Sequence, residues 1–182
     1  MTYIKKAKQV IGHNLLFRDA NSCDAEFILS LRTNPSKNQY LSFVSNDLSL
    51  QTQWLEQYSL ASDQIYFIIL ADEKPCGTVR IYDERGDSFC WGSWLLAPGA
   101  PSNFAIESAL MIYQFALRLG FRRSHFGVRK ENTSVWRFHE RFGAERTGET
   151  DEDFLYKIER SEIEKSVVKY LRYLPDGIAV NW

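Results

Sequence analysis

Several protein classes are excluded by what this 182-residue sequence lacks. No apolar run approaches the ~20 residues that cross a bilayer, so no membrane partner is expected. The opening Met1-Thr2-Tyr3-Ile4-Lys5-Lys6 has no signal-peptide apolar stretch. Cysteine is scarce. Cys23, Cys76 and Cys90 are odd in number and no pair has CxxC spacing, which argues against a disulfide framework or a metal site. They are expected as buried or half-buried thiols in a reducing, cytoplasmic setting. Excess charge is absent too: Lys plus Arg is 22, Asp plus Glu is 23, and the net charge is -1. A nucleic-acid partner held by bulk positive charge is therefore not expected. Repeats, low-complexity runs and linkers are missing as well.

What is present describes a folded domain. Hydrophobic residues are 45% and charged residues 25%, which excludes disorder as the main state. The length fits one domain over 1–182. The 12 Phe, 9 Tyr and 5 Trp belong mostly to a core, with some free to line a flat-walled pocket.

Leu15-Leu16-Phe17-Arg18 reads as a first strand, followed by a helix with Ser22 as N-cap that ends at Asn34-Pro35. Leu50, Trp54, Leu55 and Tyr58 have helical spacing. Three strands then form an antiparallel meander: 65–70, 77–82 and 88–96. Simple alternation in the third puts Phe89, Trp91, Ser93 and Leu95 on one face, and Cys90, Gly92, Trp94 and Leu96 on the other. Residues 97–102 are a Pro-Gly loop, and 103–119 a long helix closed by Gly120. A strand at 124–128, a helix at 132–141 closed by Gly143, and one or two strands within 147–158 follow. The C-terminal helix is expected at about 159–174. The fold class is α+β.

The chemistry concentrates where a strand runs through the Pro-Gly loop into the long helix. Unpaired N–H groups and the dipole at a helix start favour an anion, typically phosphate. Ordinary β–α connections look the same, and few of them bind phosphate. The flanking residues are more specific. The meander ends Trp91-Gly92-Ser93-Trp94-Leu95-Leu96-Ala97-Pro98, and the helix carries Glu107-Ser108-Ala109-Leu110. After Gly127-Val128 comes Lys130-Glu131-Asn132-Thr133-Ser134-Val135-Trp136-Arg137-Phe138-His139-Glu140-Arg141-Phe142-Gly143-Ala144. From about residue 50 to 150 the chain resembles the GNAT superfamily of acetyl-CoA-dependent N-acetyltransferases. The last run is similar to the family's Asn-containing helix ending in Tyr-Glu-Lys-x-Gly-Phe. Leu31-Arg32 and Gln53-Trp54 resemble the amino-sugar acetyltransferase branch.

The resemblance implies a mixed central sheet flanked by helices, with two parallel strands splayed, one ending at Leu96 and one at Val128. The pantetheine arm of acetyl-CoA would lie between them. Backbone N–H groups near Leu95 or Leu96 would polarise the thioester, needing no particular side chain. Pro101, Ser102, Asn103, Phe104 and Ala105 would carry the pyrophosphate, and Asn132 and Trp136 would complete the cofactor site. The family's loop reads Arg/Gln-x-x-Gly-x-Gly/Ala. Here Ala100 replaces the basic or amide residue, Asn103 replaces the middle glycine and Pro101 removes a donor, so weaker binding or a different loop path is expected. His139 aligns with the family's general-acid tyrosine. At its ordinary pKa an imidazole can protonate the departing thiolate or hold a hydrogen bond to sulfur. The competing reading is a half-exposed helix histidine. His13 and His125 are expected to be structural.

For the acceptor, Arg32, Tyr40 and Trp91 are expected to bind substrate, with Trp94 a further stacking surface, although core packing explains each of the three aromatics as well or better. Asp83, Glu84, Asp87 and Glu26 are candidates for a general base, although solvated surface charge explains each as well. The reading is acetyl transfer to a small-molecule primary amine, such as an amino-sugar nucleotide for surface polysaccharide, by a chain free to form a homodimer. The alternatives are N-terminal acetylation of a protein and a non-catalytic acyl-CoA-binding domain.

Overall fold

A computed structural model describes residues 2–36, 38–41 and 43–182. Its strands are β1 (Gln9–Ile11), β2 (Leu15–Asp19), β3 (Ile65–Ala71), β4 (Lys74–Arg85), β5 (Ser88–Leu96), β6 (Arg123–Arg129), β7 (Glu145–Glu149), β8 (Asp153–Glu159) and β9 (Ala179–Asn181). Its helices are α1 (Ala25–Arg32), α2 (Leu48–Leu60), α3 (Asn103–Arg118), α4 (Thr133–Arg141) and α5 (Arg160–Lys169). The strands form one mixed sheet in the order β7-β8-β6-β5-β4-β3-β2-β1-β9. The expected α+β class and the meander β3-β4-β5 are both present. Among the described residues no helix is long and apolar enough to cross a membrane.

Both sheet faces are covered. One carries α3, whose buried Leu110, Met111, Phe115 and Ala116 pack on Phe17, Phe67, Val79 and Phe89. The other carries α1 and α2, whose Ile28, Leu55 and Tyr58 pack on Tyr66 and Ile68. This double burial explains why β3 reads as a continuous apolar run rather than an alternating one.

Local chemistry corrects several expectations. The cap of the first helix is Asn21, not Ser22. Asn21 Oδ1 accepts from Cys23 N at 2.9 Å, and Asp24 Oδ2 accepts from Asn21 N at 2.8 Å, a reciprocal box around a 3-10 turn that precedes α1. Asp24 also takes both arms of the Arg18 guanidinium, at 3.0 and 2.7 Å. Cys23 is exposed on that turn, whereas Cys76 is half-buried and Cys90 buried. The C-terminal helix is shorter than the expected 159–174. It stops at Lys169, and Leu171–Tyr173 continues as a separate 3-10 turn.

The most consequential correction lies in β5. Pairing with β4 passes from Arg80 opposite Gly92 to Thr78 opposite Leu95, so β5 carries one extra residue there. Ser93 takes it up with φ +46. Alternation fails across this bulge, and Trp94 comes round to the face of Trp91, with ring centroids 5.1 Å apart. At the end of α4, Gly143 has φ +94, and a Cβ there would lie 2.8 Å from Glu162 Cβ. Only glycine lets α5 approach this closely.

Candidate functional site

The expected splay is visible in the register. β5 and β6 pair in parallel only at Ser88 with Arg123 and Phe89 with Ser124. Beyond that they no longer pair: β5 runs on through its bulge at Ser93 beside β4, while β6 stays paired with β8 along its whole length. The opening is a cleft of about 450 Å³. Of the expected site residues it contains Leu95, Leu96, Trp91, Tyr40, Asn132 and His139. Val128, Ser93, Trp94, Phe126 and Asp153 also line it.

His139 and Asn132 share the cleft-facing side of α4, about two helical turns apart. Asn132 stands at the N-cap position but makes no side-chain cap; Ser134 Oγ lies 3.3 Å from its Oδ1 instead. His139 is not half-exposed: it retains 5% of its surface. Its ring centroid lies 4.4 Å from that of Phe126, 5.3 Å from Trp91, 5.8 Å from Phe138 and 6.1 Å from Trp94. Removal from water in this aromatic box drives its pKa down from 6.5 to about 3. Neutral imidazole is thus the form present near neutrality, a ring that can donate a hydrogen bond but holds no extra proton to give. Nδ1 is buried without a hydrogen-bond partner among the described residues. Trp94 is itself fixed from α3, its Nε1 donating to Ser108 Oγ at 3.1 Å.

The remaining expected residues lie elsewhere. Ser102, Asn103 and Ala105 line a separate groove of about 370 Å³ on the far side of Phe138, opposite Arg141, Tyr170 and Tyr173. Phe138 lines the groove, and its ring lies 5.1 Å from that of Trp94, which lines the cleft. No side chain caps the start of α3, and Phe104 N donates to Pro101 O at 3.0 Å. Asn103 is the first helical residue and needs no unusual backbone angle. Arg141, unremarked in the sequence, brings a cation from α4 to the same groove, where the loop has Ala100 in place of a basic residue.

Trp136 does not face the cleft. Its Nε1 donates to Lys130 O at 3.1 Å and its ring meets Phe154 edge-on at 6.0 Å. Arg32 lines a second cavity of about 370 Å³, bounded also by Trp54, Tyr66 and Arg80, which adjoins the cleft at Ser93. The candidate bases are all occupied elsewhere or solvated. Asp83 pairs with Arg85 and His125, Asp87 with Arg123, Glu84 accepts from Ile4 N, and Glu26 is exposed. His125 spans Ser88 Oγ at 2.7 Å and Asp83 Oδ2 at 3.2 Å, outside all three cavities.

A family model described as an acetyltransferase (GNAT) domain matches residues 14–145. No curated protein sequence matches the chain. Among solved structures, apo FdhC, described as a nucleotide-linked sugar GNAT, is 36% identical with a TM-score of 0.80, over 96% of this chain and 99% of that one. A putative acetyltransferase from T. thermophilus is 17% identical, with a TM-score of 0.75 over 91% of this chain and 96% of that one. A mutant spermidine/spermine N-acetyltransferase SpeG from Vibrio cholerae is 15% identical, with a TM-score of 0.71 over 84% and 97%. The last two share the fold.

Proposed function

From the premise that this chain belongs to the GNAT acetyltransferase family, we propose that it moves acetyl from acetyl-CoA to a primary amine on a nucleotide-linked amino sugar. The observation that carries the transfer chemistry is the splay: β5 and β6 share two paired positions and then open a cleft of about 450 Å³. An extended thiol arm fits between them, with backbone at Leu95 and Leu96 on one side and Val128 on the other. The likeness to FdhC supports the acceptor class.

The residues divide the work. The groove at the uncapped α3 start receives the diphosphate, with Arg141 opposite Asn103. Backbone N–H at Leu95 or Leu96 stabilises charge on the thioester oxygen as it develops. The neutral acceptor amine attacks the carbonyl carbon, the C–S bond breaks, and the proton lost by the amine balances the thiol product. His139, held neutral, donates a hydrogen bond to the departing sulfur. Its ring N–H eases departure while keeping its own proton, and the proton that completes the thiol comes from the amine.

The test is CoA release with a panel of acceptors: UDP- and dTDP-linked amino sugars, a peptide with a free N-terminus, and spermidine. Turnover is expected with the nucleotide sugars. Turnover confined to the peptide or spermidine would sink the acceptor class; tight acetyl-CoA binding with no turnover would sink catalysis. His139→Ala should lower kcat at least tenfold, since a hydrogen-bond donor aimed at developing charge is worth ~10²–10³-fold, with acetyl-CoA affinity little changed. His139→Tyr should keep more activity than Ala. A wild-type rate in His139→Ala, with the fold intact by thermal melt, would remove histidine from the mechanism.

A further inference from the structure

The second cavity has a feature that packing does not explain. Arg80 lies midway along β4 on its wall, and burial pushes the guanidinium pKa below its ordinary value. The nearby positive charge of Arg32 acts in the same direction. Asp63 is close enough for its field to reach Arg80. Yet no carboxylate among the described residues forms an ion pair with Arg80, and its Nε is buried with no hydrogen-bond partner. Arg80 thus carries its charge in a partly desolvated wall with no ion pair among the described residues, an arrangement that an anion would complete.

The aromatic contacts show what remains open on Arg80. The guanidinium lies 4.7 Å from the Tyr82 ring centroid and 5.3 Å from that of Trp54. A guanidinium can meet aromatic rings by its flat face and still offer its N–H edge, the part that matches a phosphate in a planar fork. Trp54 is stacked on Tyr58, with centroids 5.9 Å apart and planes within 5°, and meets Tyr66 edge-on, which makes it a fixed wall. The volume of about 370 Å³ exceeds a lone carboxylate. The bulged residue Ser93 lines both this cavity and the cleft, so a molecule held here can extend into the cleft.

We propose that this cavity is the acceptor's anion subsite, in which Arg80 and Arg32 hold the diphosphate of a nucleotide-linked substrate beside the Trp54 ring. It rests on the acetyl-transfer reading for the direction of the acceptor: the diphosphate lies on the far side of Ser93 and the amine on the cleft side. The diphosphate of CoA itself belongs to the separate groove at the start of α3.

Calorimetric titration tests this with UDP, dTDP and uridine as probes, on wild type, Arg80→Met and Arg80→Lys, with and without saturating CoA. The expected result is binding of the nucleoside diphosphates but not uridine, weakened tenfold or more in Arg80→Met and partly restored in Arg80→Lys. CoA should not displace them. Failure of both diphosphates to bind wild type, equal binding by Arg80→Met, or displacement by CoA would each overturn the proposal. Titration of CoA alone separates the two readings. CoA binding without UDP or dTDP binding defeats the anion subsite only, and the reverse defeats the acetyl-CoA reading only. Thermal melts check folding, and Arg32→Met carries the same test should Arg80→Met fail to fold.

Discussion

His139 owes its chemistry to its neighbours. In the box of Phe126, Trp91, Trp94 and Phe138, charging the ring costs more than any partner returns, and the pKa falls to about 3. A measurable linkage follows. Between its ordinary value of 6.5 and about 3, the unfolded chain binds a proton that the folded chain refuses. Stability from this site is therefore complete above the upper value and lost as pH falls through the window, at about 1.4 kcal/mol per pH unit. His139→Leu should flatten that acid limb relative to wild type, as read from urea midpoints between pH 4 and 7. Parallel pH slopes in the two proteins would show that the ring titrates normally. The pH–rate profile should likewise lack a histidine inflection in this window. The sequence made His139 legible through its alignment with the family's tyrosine, and its spacing from Asn132 put both on one helix face. It could not show burial, because Trp94 reaches the ring only through the β5 bulge. Arg80 stayed hidden for a similar reason: within Gly77-Thr78-Val79-Arg80-Ile81-Tyr82 it looks like an ordinary outward-facing strand residue.

Elements are held in register by contacts between residues far apart in sequence. Glu107, fully buried in α3, accepts from His13 N at 2.8 Å, Asn14 N at 2.6 Å, Leu15 N at 2.9 Å and Asn14 Nδ2 at 2.9 Å. One carboxylate thus fixes the tight turn between β1 and β2 against the helix that covers them. Glu107→Ala strands those backbone donors, and each buried group left without a partner costs ~1–3 kcal/mol. A loss of about 3 kcal/mol or more in urea unfolding is expected, with faster amide exchange at residues 13–15. A loss under about 1 kcal/mol would mean that water replaces the carboxylate freely. Here the sequence was informative about long elements and blind to short ones. The meander, α3 and α4 carry periodic apolar signals or glycine stops over many residues. β1 and β9 are three residues each and exist through pairing, with Val10 opposite Phe17 on one side and Val180 on the other. Glu107 lay in plain view, but its partners are more than ninety residues away.

Across the whole molecule, the cleft opens within the sheet while β9 closes its far edge beyond β1. This separation allows stability and binding to be uncoupled. The C-terminal segment buries Ile178, sets the Trp182 ring 5.9 Å from that of Phe115, and places Lys5 Nζ 4.4 Å from the Trp182 ring centroid. Arg118 donates to Ile178 O from the end of α3. Removing residues 175–182 uncovers Phe115 and the hydrogen-bonding edge of β1. Losing one fully buried and one half-buried apolar side chain costs about 3 kcal/mol. For a chain of this size that corresponds to a fall in Tm of roughly 6–12 °C. A newly exposed edge strand also invites pairing between molecules, so light scattering should rise near the lowered Tm. The removed segment lines neither the cleft nor the groove. Acetyl-CoA affinity, measured well below that Tm, should therefore stay within about twofold of wild type, a difference worth under ~0.5 kcal/mol. A lowered affinity with unchanged Tm would reverse this assignment, tying the far edge of the sheet to the splay rather than to the core.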